Sequence, residues 1–146
     1  MQSRPLLAFA ALLTLLTGCA KEVGRLPFAA EGKASVTLPL AAGKVDFWTD
    51  IAIDYQGDAG LEYLIALEQG GAKVATAICN PLGHVDSKSG WTDINLGSSH
   101  SRKGSGKMMC SLKLAAGGPT TVRATLAFAS KPTSLGLTKA DLVVKQ

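Results

Sequence analysis

Four residues in this 146-residue chain stand at a spacing that suits chemistry: Asp46, Trp48, Asp50 and Asp54. They recur two or four positions apart, so an extended backbone places all four on one face. A flat indole among carboxylates suits sugar recognition, because the ring stacks on a pyranose while the carboxylates accept its hydroxyl protons. Paired carboxylates are also the residue types of glycoside hydrolysis, but that reaction needs them to flank a cleft. Neighbours on one strand project in parallel and flank nothing by themselves. Calcium requires six to eight oxygens converging on a point, whereas this ladder strings them out. The plain alternative is a solvated strand face with one packed tryptophan.

A second constellation lies in Gly83 to Gly106, which holds both histidines (His84 and His100), Asp86, Asp93 and Trp91. Its Gly/Ser content reads as a long loop, where binding groups tend to sit on a rigid scaffold. A Ser-His-Asp triad lacks a marked nucleophile here, since no G-x-S-x-G turn is present and serines are frequent throughout. His84, Asp86 and His100 match no zinc-ligand spacing. Within this region, Ser98 to Lys107 sets His100, Arg102, Lys103 and Lys107 in a flexible Gly/Ser frame. That composition suits anionic lipid headgroups, lipopolysaccharide phosphate or an acidic partner surface. Gly104-Ser105-Gly106-Lys107 fails as a phosphate loop, because Met108 stands where Ser or Thr would hold the metal. The candidate binding residues are therefore Asp46, Trp48, Asp50, Asp54, His84, Trp91, His100, Arg102 and Lys103. No catalytic residue, metal ligand or cofactor is assigned.

The elements that must position these residues read as strands. Lys44 to Tyr55 alternates, with Val45, Phe47, Thr49, Ile51, Ile53 and Tyr55 on one face and the acidic ladder on the other. Further short strands are expected over 35–40, 61–69, 73–80, 91–96, 107–114, 120–129 and 141–145. Gly, Pro, Asn and Asp turns join them. Pro39 places its strand at a sheet edge or near a strand end. Residues 61–69 contain good helix formers and are the most ambiguous. About eight strands and no sustained helical period predict an all-β chain, an antiparallel β-sandwich with a jelly-roll-like arrangement as one form.

Composition narrows the partners. A formal net charge of +4 is too weak to imply nucleic acid. Charge is nonetheless uneven: residues 19–78 carry a net −3 and residues 79–146 a net +6.

The N-terminus reads as an address. Leu6 to Leu16 is an apolar run behind a short basic head. As a helix it reaches about 16 Å, against roughly 30 Å for a bilayer core. It ends in Leu16-Thr17-Gly18-Cys19, which resembles the lipobox of bacterial lipoproteins. The resemblance implies cleavage after residue 18, a lipid on Cys19 and anchoring in the membrane. Ala20, in place of a retention Asp, favours the outer membrane, facing the periplasm. Residues 19–32 then read as a lipidated tether, and 33–146 as the folded domain. With Cys19 lipidated, Cys79 and Cys110 remain as an even pair in an exported protein, which predicts a disulfide.

The expectation is thus an outer-membrane lipoprotein with a non-catalytic β-sandwich that binds another envelope component, most plainly a protein. An inhibitor or immunity role is its most specific form. The competing expectation is an enzyme or lectin-like module acting on envelope polysaccharide.

Overall fold

The computed structural model describes residues 20–146, so the expected signal peptide and Cys19 lie outside the described residues. The described chain forms nine strands and no helix. They are β1 (Glu22–Leu26), β2 (Gly32–Leu40), β3 (Gly43–Gln56), β4 (Gly60–Gln69), β5 (Ala72–Cys79), β6 (Val85–Leu96), β7 (Ser99–Leu114), β8 (Gly118–Ser130) and β9 (Ser134–Lys145). Two antiparallel sheets pack as a β-sandwich: a five-stranded sheet in the order β1-β9-β3-β7-β6, and a four-stranded sheet in the order β2-β8-β4-β5.

The alternation of β3 does what its period dictates. Val45, Phe47, Thr49, Ile51 and Ile53 are buried between the sheets, and Asp46, Trp48 and Asp50 lie on the outer face. In β4, Leu61, Tyr63, Ile65 and Leu67 are buried in the same rhythm. Helix propensity is worth only tenths of a kcal/mol per residue, on the order of what one buried contact overrides. The buried Tyr63 hydroxyl donates to the Ala140 carbonyl at 2.8 Å and accepts from the Thr49 hydroxyl at 3.1 Å. That knot ties the four-stranded sheet to β3 and β9. Burial pushes the Tyr63 phenol far above its ordinary value, so it stays a neutral donor.

Cys79, at the end of β5, is disulfide-bonded to Cys110 in β7. The bond joins an edge strand of one sheet to an inner strand of the other.

Four expectations are corrected. Residues 20–32 are not a tether: β1 pairs with β9, and Leu26 and Phe28 enter the core at 1% and 7% exposure. Residues 83–106 are not a loop: β6 and β7 form a long antiparallel hairpin at the edge of the five-stranded sheet. The flexible frame expected over 98–107 is β7 itself, paired along its length with β3. The closing strand, expected over 141–145, begins at Ser134.

The turns collect at two ends. Turns 40–43, 69–72 and 114–118 lie at one end, with Lys21 and Gln146, whose backbones exchange two 3.0 Å hydrogen bonds. Gln146 also brackets Ala41 through its side chain, and Gln69 donates to the Ala116 carbonyl. This is the near end. Turns 56–60, 96–99 and 130–134 lie at the far end, held together by Gly57 N–H to Ser98 O and Thr133 N–H to Gln56 O.

Candidate functional site

The pleat of β3 puts Asp46, Trp48, Asp50 and Asp54 on the outer face of the five-stranded sheet, as expected, but the neighbouring strands claim most of them. Arg25 on β1 donates to Glu22 at 2.8 Å, Asp50 at 2.9 Å and Asp141 at 3.0 Å. The Lys139 ammonium lies 2.7 Å from Asp50. Burial pushes the Asp50 carboxyl up, but the hydrogen bonds from Lys139 and Arg25 outweigh it and hold the group below its ordinary value. The Arg25 hydrogen bond likewise holds Glu22 down. Asp46 stands at ion-pair distance from Lys44 (3.4 Å) and Lys107 (3.5 Å). The Lys145 ammonium sits 3.6 Å from the centroid of the Trp48 ring, in cation–π geometry.

These contacts absorb the uneven charge of the sequence. Asp46 and Asp50, from the acidic half, meet Lys107 and Lys139 from the basic half, and Glu68 meets Arg123 at 2.8 Å. They also engage much of the acidic ladder. Asp46 and Asp50 are paired with cations and an ammonium caps the indole, whereas Asp54 is exposed and makes no ion pair among the described residues.

The remaining candidates lie along the hairpin. His84, in the β5–β6 connection, is exposed and hydrogen-bonded to Asp86 at 2.9 Å. Arg102 acts as a strut. It donates to the carbonyls of Pro81 (3.1 Å) and Gly83 (2.8 Å) and to Asp93 (2.7 Å), and its guanidinium lies 5.2 Å from the Trp91 ring centroid. Trp91 packs against the core. Gly104 permits that closeness: a Cβ there would stand 2.7 Å from the Gly90 carbonyl and the Trp91 backbone, and its φ is +134°. Lys103 faces solvent on the outer face. His100 stacks on Tyr55 with centroids 4.8 Å apart and hydrogen-bonds Asn95.

The structure therefore divides the nine candidates. Most belong to the ion-paired face or to the strut, while Asp54 and His100 meet at the far end. There they line a trough of about 440 Å³ with residues the sequence reading passed over: Tyr55, Gln56, Ile94, Leu96, Ser99, Ser101, Ser134, Leu135 and Gly136. Leu96 is 73% exposed, and Ile94 and Leu135 are each 47% exposed. The signal was the alternation of Ile94 and Leu96, two large apolar residues at one parity in a polar segment. Among the described residues, no three His, Cys, Asp or Glu side chains gather into a set able to hold a metal ion.

No protein-family model matches this chain, and no curated protein matches it.

Proposed function

We propose that the protein is a lipid-anchored lipoprotein of the bacterial envelope whose β-sandwich binds another envelope protein at its far end, without catalysing a reaction. The observation that carries this reading is the exposed apolar set Ile94, Leu96 and Leu135 around the trough. Large apolar side chains exposed together, and rimmed by Asp54, Gln56 and His100, mark a surface suited to a protein partner. Leu96 stands beside the β6–β7 turn, which the Gly57 N–H to Ser98 O hydrogen bond holds against the β3–β4 turn. An inhibitor or immunity role is the most specific form of this reading. The lipobox resemblance at Leu16 to Cys19 supports the anchor and the outer-membrane address.

The test is a photo-crosslinking amino acid at position 96 of the full-length protein, in intact envelopes, followed by mass spectrometry. The expected result is a discrete crosslinked protein that is absent when the probe stands at Thr121, on the outer face of the other sheet. Crosslinks to glycan alone would favour the polysaccharide-binding reading. Absence of any position-dependent product would overturn far-end binding.

A further inference from the structure

The near end carries a surface of different character. Its three turns are built from Ala41 and Ala42, from Gly70 and Gly71, and from the run Ala115 to Gly118. Small side chains there let the backbone approach a flat surface closely. Around these turns stand Lys21, Lys44, Lys73 and Lys113, all exposed. The carboxylates nearest this end are engaged: Glu22 with Arg25, Asp46 with Lys44 and Lys107, Glu68 with Arg123. Among the described residues Lys21, Lys73 and Lys113 make no ion pair. Lys44 and Lys113 are direct cross-strand neighbours. Like charges placed opposite each other destabilise a sheet in isolation, and an anionic surface relieves that repulsion.

We propose that this end seats directly on the bilayer, with the four lysines against anionic lipid headgroups. The inference rests on the lipidation of Cys19 proposed above, and it adds an orientation to it. Only Ala20 separates Cys19 from Lys21, whose backbone is fixed to Gln146 by two hydrogen bonds. Two residues span at most about 7 Å. A lipid at Cys19 therefore holds this end, and no other, at the headgroup level. The leaflet's negative potential attracts basic groups within roughly a Debye length, ~8 Å at physiological salt. The far turns carry exposed Asp54 and Asp58, neither in an ion pair among the described residues, and none of the four lysines stands beside them.

The test uses the full-length protein, matured in bacterial membranes and reconstituted into phosphatidylethanolamine vesicles with or without phosphatidylglycerol. A fluorophore is attached at Ala116→Cys (near end) or Ser130→Cys (far end) and quenched by a lipid bearing a nitroxide headgroup. Quenching at 116 should exceed that at 130 several-fold. It should rise with phosphatidylglycerol, and it should fall at high salt and in the Lys21→Gln/Lys44→Gln/Lys73→Gln/Lys113→Gln variant. An intact Cys79–Cys110 disulfide and a β-type circular dichroism spectrum confirm that each variant is folded. Protein that floats with the vesicles but quenches equally at both positions, or is indifferent to phosphatidylglycerol and to the lysines, overturns the seating while leaving the anchor intact. Protein that does not float overturns the anchor, and the seating falls with it.

Discussion

Removal of the Arg25 guanidinium would leave Asp50 and Asp141 sharing the Lys139 ammonium, which lies 2.7 Å from one and 4.0 Å from the other. Hydrogen bonds to charged groups contribute about 1.5–3 kcal/mol, and partial exposure of Arg25 lowers that, so Arg25→Ala should cost about 1–2 kcal/mol in denaturant unfolding at neutral pH. The pH dependence has a definite sign. Asp50 and Glu22 titrate below their ordinary values in the folded protein. Their contribution is therefore complete above the unfolded carboxylate range and is lost as pH falls through the lower folded values. The gap between wild type and variant should narrow as pH drops below about 4. A gap unchanged at low pH would mean that Arg25 acts by packing alone. Tyr63→Phe makes a different case, because the Thr49 hydroxyl and the Ala140 carbonyl lose a partner in a dry core. Leaving buried polar groups unsatisfied costs about 1–3 kcal/mol, with no pH dependence between 5 and 8, and thermal unfolding should report it.

Strands whose side chains alternate cleanly could be read from sequence, and strands defined by their neighbours could not. Lys44 to Tyr55 declares its two faces residue by residue, and Pro39 lies where a missing donor is tolerated, in the edge strand β2. β1 contributes Leu26 to the core and then Phe28 just beyond it, in a stretch broken by Gly24 and Pro27. Its identity comes from pairing with β9, a contact between residues more than a hundred positions apart. Leu26→Ala separates the two descriptions: a tether residue would cost nothing, whereas a buried leucine costs about 2–5 kcal/mol. A denaturation midpoint equal to wild type would return this segment to the solvent. The hairpin was obscured differently. Register shifts between Asp86 and Thr92 break the alternation of β6, and glycines and serines thin out β7. Backbone pairing with β3 holds the first half of β7, while Met108 and Leu114 bury their side chains farther along. The disulfide fastens that arrangement from the other sheet, and breaking it by Cys79→Ala/Cys110→Ala should cost about 3–4 kcal/mol in the chain-entropy model, read as a lowered denaturation midpoint.

Over the whole molecule, the uneven charge of the sequence resolves into two features. Interleaved strands neutralise much of it on the sheet faces, and four exposed lysines, Lys21, Lys44, Lys73 and Lys113, gather at the near end. Neither feature is visible before the strand order is known, because residues 21, 44, 73 and 113 share an end only through the topology. The axis also sets a height. β3 runs the length of the five-stranded sheet in 14 residues, about 46 Å at ~3.3 Å per residue. On the proposed end-on seating, the Leu96 trough would stand roughly that far above the headgroups. Insertion of a Gly/Ser linker between Ala20 and Lys21 tests this, since it leaves every packed residue in place. A linker of about a dozen residues adds a root-mean-square reach of roughly 19 Å and frees the orientation. Unfolding stability should equal wild type, because Lys21 and Gln146 can still pair. Preferential near-end quenching should weaken as the anchor ceases to hold that end, and crosslinking from position 96 should fall if the partner is fixed at one height. Undiminished crosslinking alongside lost orientation would mean that the partner diffuses to the far end and that the short link serves the membrane contact alone.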